Sequence, residues 1–122
     1  MSDINYNISL NVQKDYLASN VQAGGITATM SDAGLKGDTY TLSTNASSIS
    51  TANLAAVGLA FMRNLSTATA STAQIGIDAG GSFAAFSTLR AGEAVLFRMT
   101  PGTPYQVRGV AGGRLRVDIT EG

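Results

Sequence analysis

"INYNISLNV", residues 4–12, alternates apolar and polar side chains without an exception. Ile4, Tyr6, Ile8, Leu10 and Val12 fall on one side of an extended chain, with Asn5, Asn7, Ser9 and Asn11 on the other. A period of two marks a strand with one wet and one dry face, because successive side chains of extended backbone point to opposite sides. Such a strand at a terminus either completes the chain's own sandwich or pairs with a neighbour's edge, and the first is the expectation. The stretch that follows, Gln13 to Gly25, is polar and reads as turn-rich.

The same period recurs along the chain. Ile26, Ala28 and Met30 alternate with threonines after Gly24–Gly25, and Tyr40 and Leu42 do so after Gly37–Asp38. Val57, Leu59 and Phe61 line one face of a further strand, as do Ile75 and Ile77. Val95, Phe97 and Met99 form another set, then Tyr105 and Val107, then Leu115, Val117 and Ile119. Glycine or proline punctuates nearly every boundary, as tight turns require. Leu54, Val57, Phe61 and Leu65 also stand at helical spacing, but Gly58 would cost a helix about 1 kcal/mol there. The expectation is a short turn near Ser50–Ala56 and then a strand. Eight or so short strands at turn-marked intervals predict an all-β single domain over residues 1–122: an antiparallel β-sandwich, jelly-roll-like.

Composition narrows the chemistry. The 122 residues include no cysteine and no histidine. That excludes disulfides, thiolate nucleophiles, the commonest metal ligand and every triad built on imidazole. The eight carboxylates are scattered, so no catalytic, cofactor-binding or metal site is expected, and the chain does not read as an enzyme. Net charge is zero, which makes nucleic acid an unlikely partner. Residues 1–61 carry two lysines against four aspartates, and residues 62–122 six arginines against four carboxylates, a weak asymmetry. The uncharged run Thr39 to Met62 is too rich in Ser, Thr and Asn to span a membrane. The opening MSDINYNI has neither the basic nor the apolar region of a secretory signal. Matches to N-x-[ST] at Asn7, Asn45 and Asn64 carry no weight in a chain so rich in serine and threonine.

Only 13% of residues are charged, against about 25% in ordinary soluble domains. A surface this poor in charge suits a protein whose neighbours cover it, so a homo-oligomer, with a trimer preferred, is expected. Two stretches invite a functional reading. In "FSTLRAGEAVLFRMTPGTPYQVRG", residues 86–109, strands Glu93–Thr100 and Tyr105–Arg108 flank a Pro101–Gly102 turn, which predicts a hairpin with a charged outer face. Gly92 is expected at positive φ, and Arg98 has Asp118 as a possible cross-strand partner. "DAGGSF", residues 78–83, lacks the Lys-Ser/Thr and the helix of a phosphate loop, and reads as a strand-to-strand turn.

Several pieces of the second half carry a likeness: Arg63-Asn64-Leu65, Ile77-Asp78, Phe86, Leu89, Ala91-Gly92-Glu93, Leu96-Phe97-Arg98, Tyr105-Gln106-Val107-Arg108 and Glu121. In this order the chain resembles small accessory, decoration-like structural virion proteins of tailed bacteriophages. The resemblance covers roughly the C-terminal half and is made of turn and core positions. It implies a non-enzymatic virion component assembled in the host bacterial cytoplasm, with the major capsid protein or other virion proteins as partners. A capsid decoration or cement protein is the leading expectation, with a tail, baseplate or neck subunit beside it. A third reading, a carbohydrate-binding adhesin module, would use Tyr6, Tyr16, Tyr40 or Tyr105 as a stacking platform; the lack of tryptophan weighs against it.

Overall fold

A computed structural model describes residues 3–30, 33–52 and 54–122. Among the described residues there are ten strands and no helix. They are β1 (Ile4–Lys14), β2 (Leu17–Ala28), β3 (Leu35–Thr41), β4 (Ser47–Ser48), β5 (Val57–Asn64), β6 (Ala73–Ala79), β7 (Ser82–Leu89), β8 (Ala94–Arg98), β9 (Tyr105–Gly109) and β10 (Arg114–Glu121). The chain divides into two compact units, Met1–Ser31 and Asp32–Gly122.

The larger unit holds two four-stranded antiparallel sheets, ordered β3-β10-β5-β8 and β4-β9-β6-β7. Counted within the unit, this is 1-8-3-6 facing 2-7-4-5, the strand order of a jelly roll. The all-β sandwich read from the alternation is therefore the observed architecture. Its core lies between the sheets: Leu115, Val117 and Ile119 of β10 meet Ile75 of β6 and Val107 of β9, all nearly inaccessible. On β10 the alternate residues Arg114 and Arg116 are exposed, as the period of two requires.

On β5 the expected set holds only in part. Leu59 is buried and Val57 packs against the core, but Phe61 is 41% exposed while Ala60 and Met62 are fully buried. The reason is pairing: Met62 stands opposite Val117 and Ala60 opposite Ile119, so these share the inner face, whereas Phe61 stands opposite the outward Asp118. A strand shifted by one residue turns every side chain over, and here the neighbour's register decides against the largest apolar residue.

The segment 86–109 also differs from expectation. β8 pairs with β5 and β9 with β6 and β4, so the two strands lie in different sheets and are not a hydrogen-bonded hairpin. The turn at Pro101–Gly102 carries the chain from one sheet to the other. Arg98 and Asp118 are likewise not on neighbouring strands, since β5 separates β8 from β10. Gly92 does take a positive φ, 80°. The hairpin of this half is β6–β7. Its two central residues, Gly80 and Gly81, have φ of 68° and 93°, a type I′ turn that any side chain would strain. Asp78 Oδ1 accepts a hydrogen bond from the Gly81 N–H at 2.8 Å, closing the turn read from "DAGGSF".

The turn expected near Ser50–Ala56 is present: Leu54 N–H donates to Thr51 C=O at 3.2 Å, and no helix follows. Asn53, within it, lies outside the described residues. Two buried polar side chains tie loops to the sandwich. Asn64 holds the loops around Ser66, Ser71 and Leu89, and Glu121 accepts from the N–H groups of Ala55 and Ala56. Among the described residues no buried side-chain polar atom lacks a partner.

Candidate interaction surface

The smaller unit is a hairpin whose strands are far longer than its turn. β1 has 11 residues and β2 has 12, paired from Ile4↔Ala28 to Lys14↔Leu17. The expected strand at residues 4–12 is there, but its partner is β2 in a separate two-stranded sheet; the eight-stranded sandwich is complete without it. The turn sits at Asp15–Tyr16, where Asp15 takes φ 53°, a conformation that aspartate tolerates better than most residues. The stretch Gln13 to Gly25 is thus mostly strand rather than turns. Leu17, Ser19, Val21 and Ala23 alternate with Ala18, Asn20 and Gln22, a period that asparagine, glutamine and a double glycine conceal.

Residues directly opposite in an antiparallel pair share a face. Ile4, Tyr6, Ile8, Leu10 and Val12 of β1 therefore lie on the same side as Ala28, Ile26, Ala23, Val21 and Ser19 of β2. The other side carries Asn5, Ser9, Asn11 and Gln13 against Thr27, Gln22, Asn20 and Ala18. One face is almost wholly apolar and the other almost wholly polar.

A bulge keeps that separation intact. Between the pairs Tyr6↔Ile26 and Ile8↔Ala23, Asn7 faces two residues, Gly24 and Gly25. Gly25 has φ 65°, and its N–H donates to Asn7 Oδ1 at 2.9 Å. The extra residue lets Ala23 and Ile26, three apart, point the same way. Deleting Gly25 is expected to turn Ile26 and Ala28 onto the polar face, unpairing the root of the hairpin. Amide exchange of Asn5 and Thr27 should then accelerate by tenfold or more; unchanged protection would show that the bulge does not set the register.

The apolar face is open: Ile8 is 48% exposed, Leu10 60%, Leu17 60% and Val21 63%. The two strands contain a single charged residue, Lys14, at the tip. Isolated patches of this kind are ordinary, but a continuous apolar ribbon face marks an interaction surface.

The four tyrosines divide between the units, Tyr6 and Tyr16 in the smaller and Tyr40 and Tyr105 in the larger. Tyr6 is half-buried on the hairpin's apolar face and Tyr16 stands free at its tip. Tyr40 and Tyr105 pack against the sandwich core, and their hydroxyls accept from Ser50 N–H and Thr100 N–H, both at 2.8 Å. Tyr105 also joins Phe97 and Phe86, with ring centroids 5.6–6.2 Å apart, in a cluster that ends on the half-exposed Phe86. Arg108 lies over the Phe83 ring at 4.4 Å and donates to Gln74 at 2.7 Å. Arg116 is paired with Asp118 at 2.9 Å; that hydrogen bond, then the carboxylate's charge, raises the guanidinium pKa above its ordinary value. Among the described residues no group of three or more carboxylates gathers to hold a metal ion.

No family model and no curated protein matches the chain. A solved structure described as a Bacillus endospore appendage, from a family of disulfide-linked pili, overlays at a TM-score of 0.43 with 18% identity. The overlay covers 78% of this chain and 96% of that one.

Proposed function

We propose that the chain is a structural subunit of a tailed-phage virion, a capsid decoration or cement protein that works as a homo-oligomer without catalysis. The observation that carries this reading is the open apolar face of the β1–β2 hairpin. A two-stranded ribbon is marginal in water by itself, so a long one with a continuous apolar side is built to be covered by protein. The resemblance of the C-terminal half to decoration-like virion proteins supplies the setting.

The mechanism is passive. The jelly roll, with its core closed between two sheets, is the rigid body; the hairpin and the weakly charged surface make the contacts. Each large apolar side chain buried at such a contact contributes on the order of 1.5–3 kcal/mol, and copies repeated over a shell sum these into resistance against internal pressure. No cofactor, metal or nucleic acid enters the scheme; the partners are sister copies and the major capsid protein. The protein would assemble in the host cytoplasm and remain on the particle.

Mass spectrometry and electron cryomicroscopy of purified particles test the assignment. The expected result is a chain present in proportion to the major capsid protein, with jelly-roll density on the capsid surface. Density confined to the tail or neck would move it to the tail-subunit reading, and its absence from particles would end the virion assignment.

A further inference from the structure

We infer that the hairpin's apolar face is covered by the same face of a second copy of this chain, about a symmetry axis running along the ribbons. The inference rests on reading this face as an assembly surface and names its occupant. Three observations select a sister copy.

The first is the profile of the face. At three levels the larger side chain belongs to β1 and the smaller to β2: Ile4 opposite Ala28, Ile8 opposite Ala23 and Val12 opposite Ser19. The ribbon is therefore tall along one edge and low along the other. Rotation about an axis parallel to the ribbon lays the tall edge of one copy over the low edge of the next, so the face is complementary to itself. The bulge at Gly24–Gly25 extends this stepped profile to the root of the hairpin.

The second is charge. Between Ile4 and Val12, and between Leu17 and Ala28, no side chain is charged; the one charge on this side is Lys14 at the tip, opposite Leu17, so two copies meet over most of the face without like-charge repulsion. A strongly charged partner would find only Lys14 to pair with.

The third is size. The 11 residues of β1 make a ribbon about 35 Å long and about 10 Å wide. Two such faces, with the relief of their side chains, bury on the order of 1,000 Å², the threshold for a specific interface. The sheet spacing in such a pair would be about 10 Å, with side chains interdigitating as in any sandwich.

Sedimentation equilibrium of the full chain tests this, using wild type and two double variants. Leu10→Thr with Val21→Thr places hydroxyls at the centre of the apolar face, where the two residues stand opposite one another, and threonine keeps the strand preference. Ser9→Lys with Gln22→Glu changes the opposite face at the neighbouring pair and leaves the net charge unaltered. The expected result is a wild type at a multiple of 12.5 kDa, and an apolar-face variant whose dissociation constant is at least about 100-fold larger. The polar-face variant should keep the wild-type mass. Wild type that remains monomeric at millimolar concentration overturns the inference, whatever else covers the face. So does an oligomer that survives Leu10→Thr with Val21→Thr, or one that both variants dissociate equally. A monomer found on particles would remove this inference while leaving the virion reading standing; a hairpin-dependent oligomer absent from particles would do the reverse.

Discussion

Asn64→Asp is expected to lower the unfolding free energy of the sandwich by about 3–5 kcal/mol, although it exchanges only one amide nitrogen for oxygen. Asn64 is fully buried at the end of β5. Its Nδ2 donates to the carbonyls of Ser71 at 2.8 Å and Leu89 at 3.1 Å, while its Oδ1 accepts from Ser66 N–H at 3.0 Å. One side chain thus satisfies three backbone groups, two in the β5–β6 loop and one at the end of β7. Aspartate has no N–H to offer, and when ionised it sets a buried negative charge against two carbonyl oxygens. Burial and those carbonyls raise the variant's folded carboxyl pKa above its unfolded value. The variant is therefore least disadvantaged below the unfolded pKa and loses stability as pH rises through the folded one. Urea unfolding followed by far-ultraviolet circular dichroism at pH 4.5 and 7.5 measures both effects. A loss under 1 kcal/mol at pH 7.5, or a deficit that does not grow with pH, would show that Asn64 is not the pin described.

The second large effect is expected at Glu121. Its side chain is 5% exposed, and its two carboxylate oxygens accept from Ala55 N–H at 2.8 Å and Ala56 N–H at 3.1 Å. The backbone of the same residue donates to Gly34 C=O at 2.9 Å, so the end of β10 gathers two distant segments. Glu121→Ala leaves two N–H groups without their acceptor and opens a small void, at a cost of about 2–4 kcal/mol. Glu121→Gln keeps one acceptor oxygen but turns an amide N–H₂ toward the other donor, so it should recover only part of the loss. The order wild type, glutamine, alanine in urea midpoint is the expected outcome; equal midpoints for all three would mean that water replaces the carboxylate without penalty.

Asn64 and Glu121 each close loops onto the jelly roll. Neither role was legible in the sequence. Asn64 looks there like one more polar residue at a strand end, and Glu121 like a charge near the last residue. Only the folded chain brings Ser71 and Leu89 to one, and Ala55 and Ala56 to the other.

The interaction face was half legible. Alternation over Ile4–Val12 identifies a strand with one apolar side, and that strand is present. Its partner was hidden because β2 mixes small and polar residues and crosses Gly24–Gly25, which resembles a turn and is a bulge. Side-chain period is a local property of extended backbone, and so the all-β class, the sandwich and the turns at Gly80–Gly81 and Pro101–Gly102 followed from the sequence alone. Pairing is not local. Whether β8 bonds to β9 or to β5, whether β5 buries Met62 or Phe61, and whether β1 joins the sandwich or a separate hairpin are settled by hydrogen bonds and packing between residues far apart in the chain. Those were decided by the tertiary structure, because a strand's own residues specify that it has two faces but not which neighbour will cover either of them.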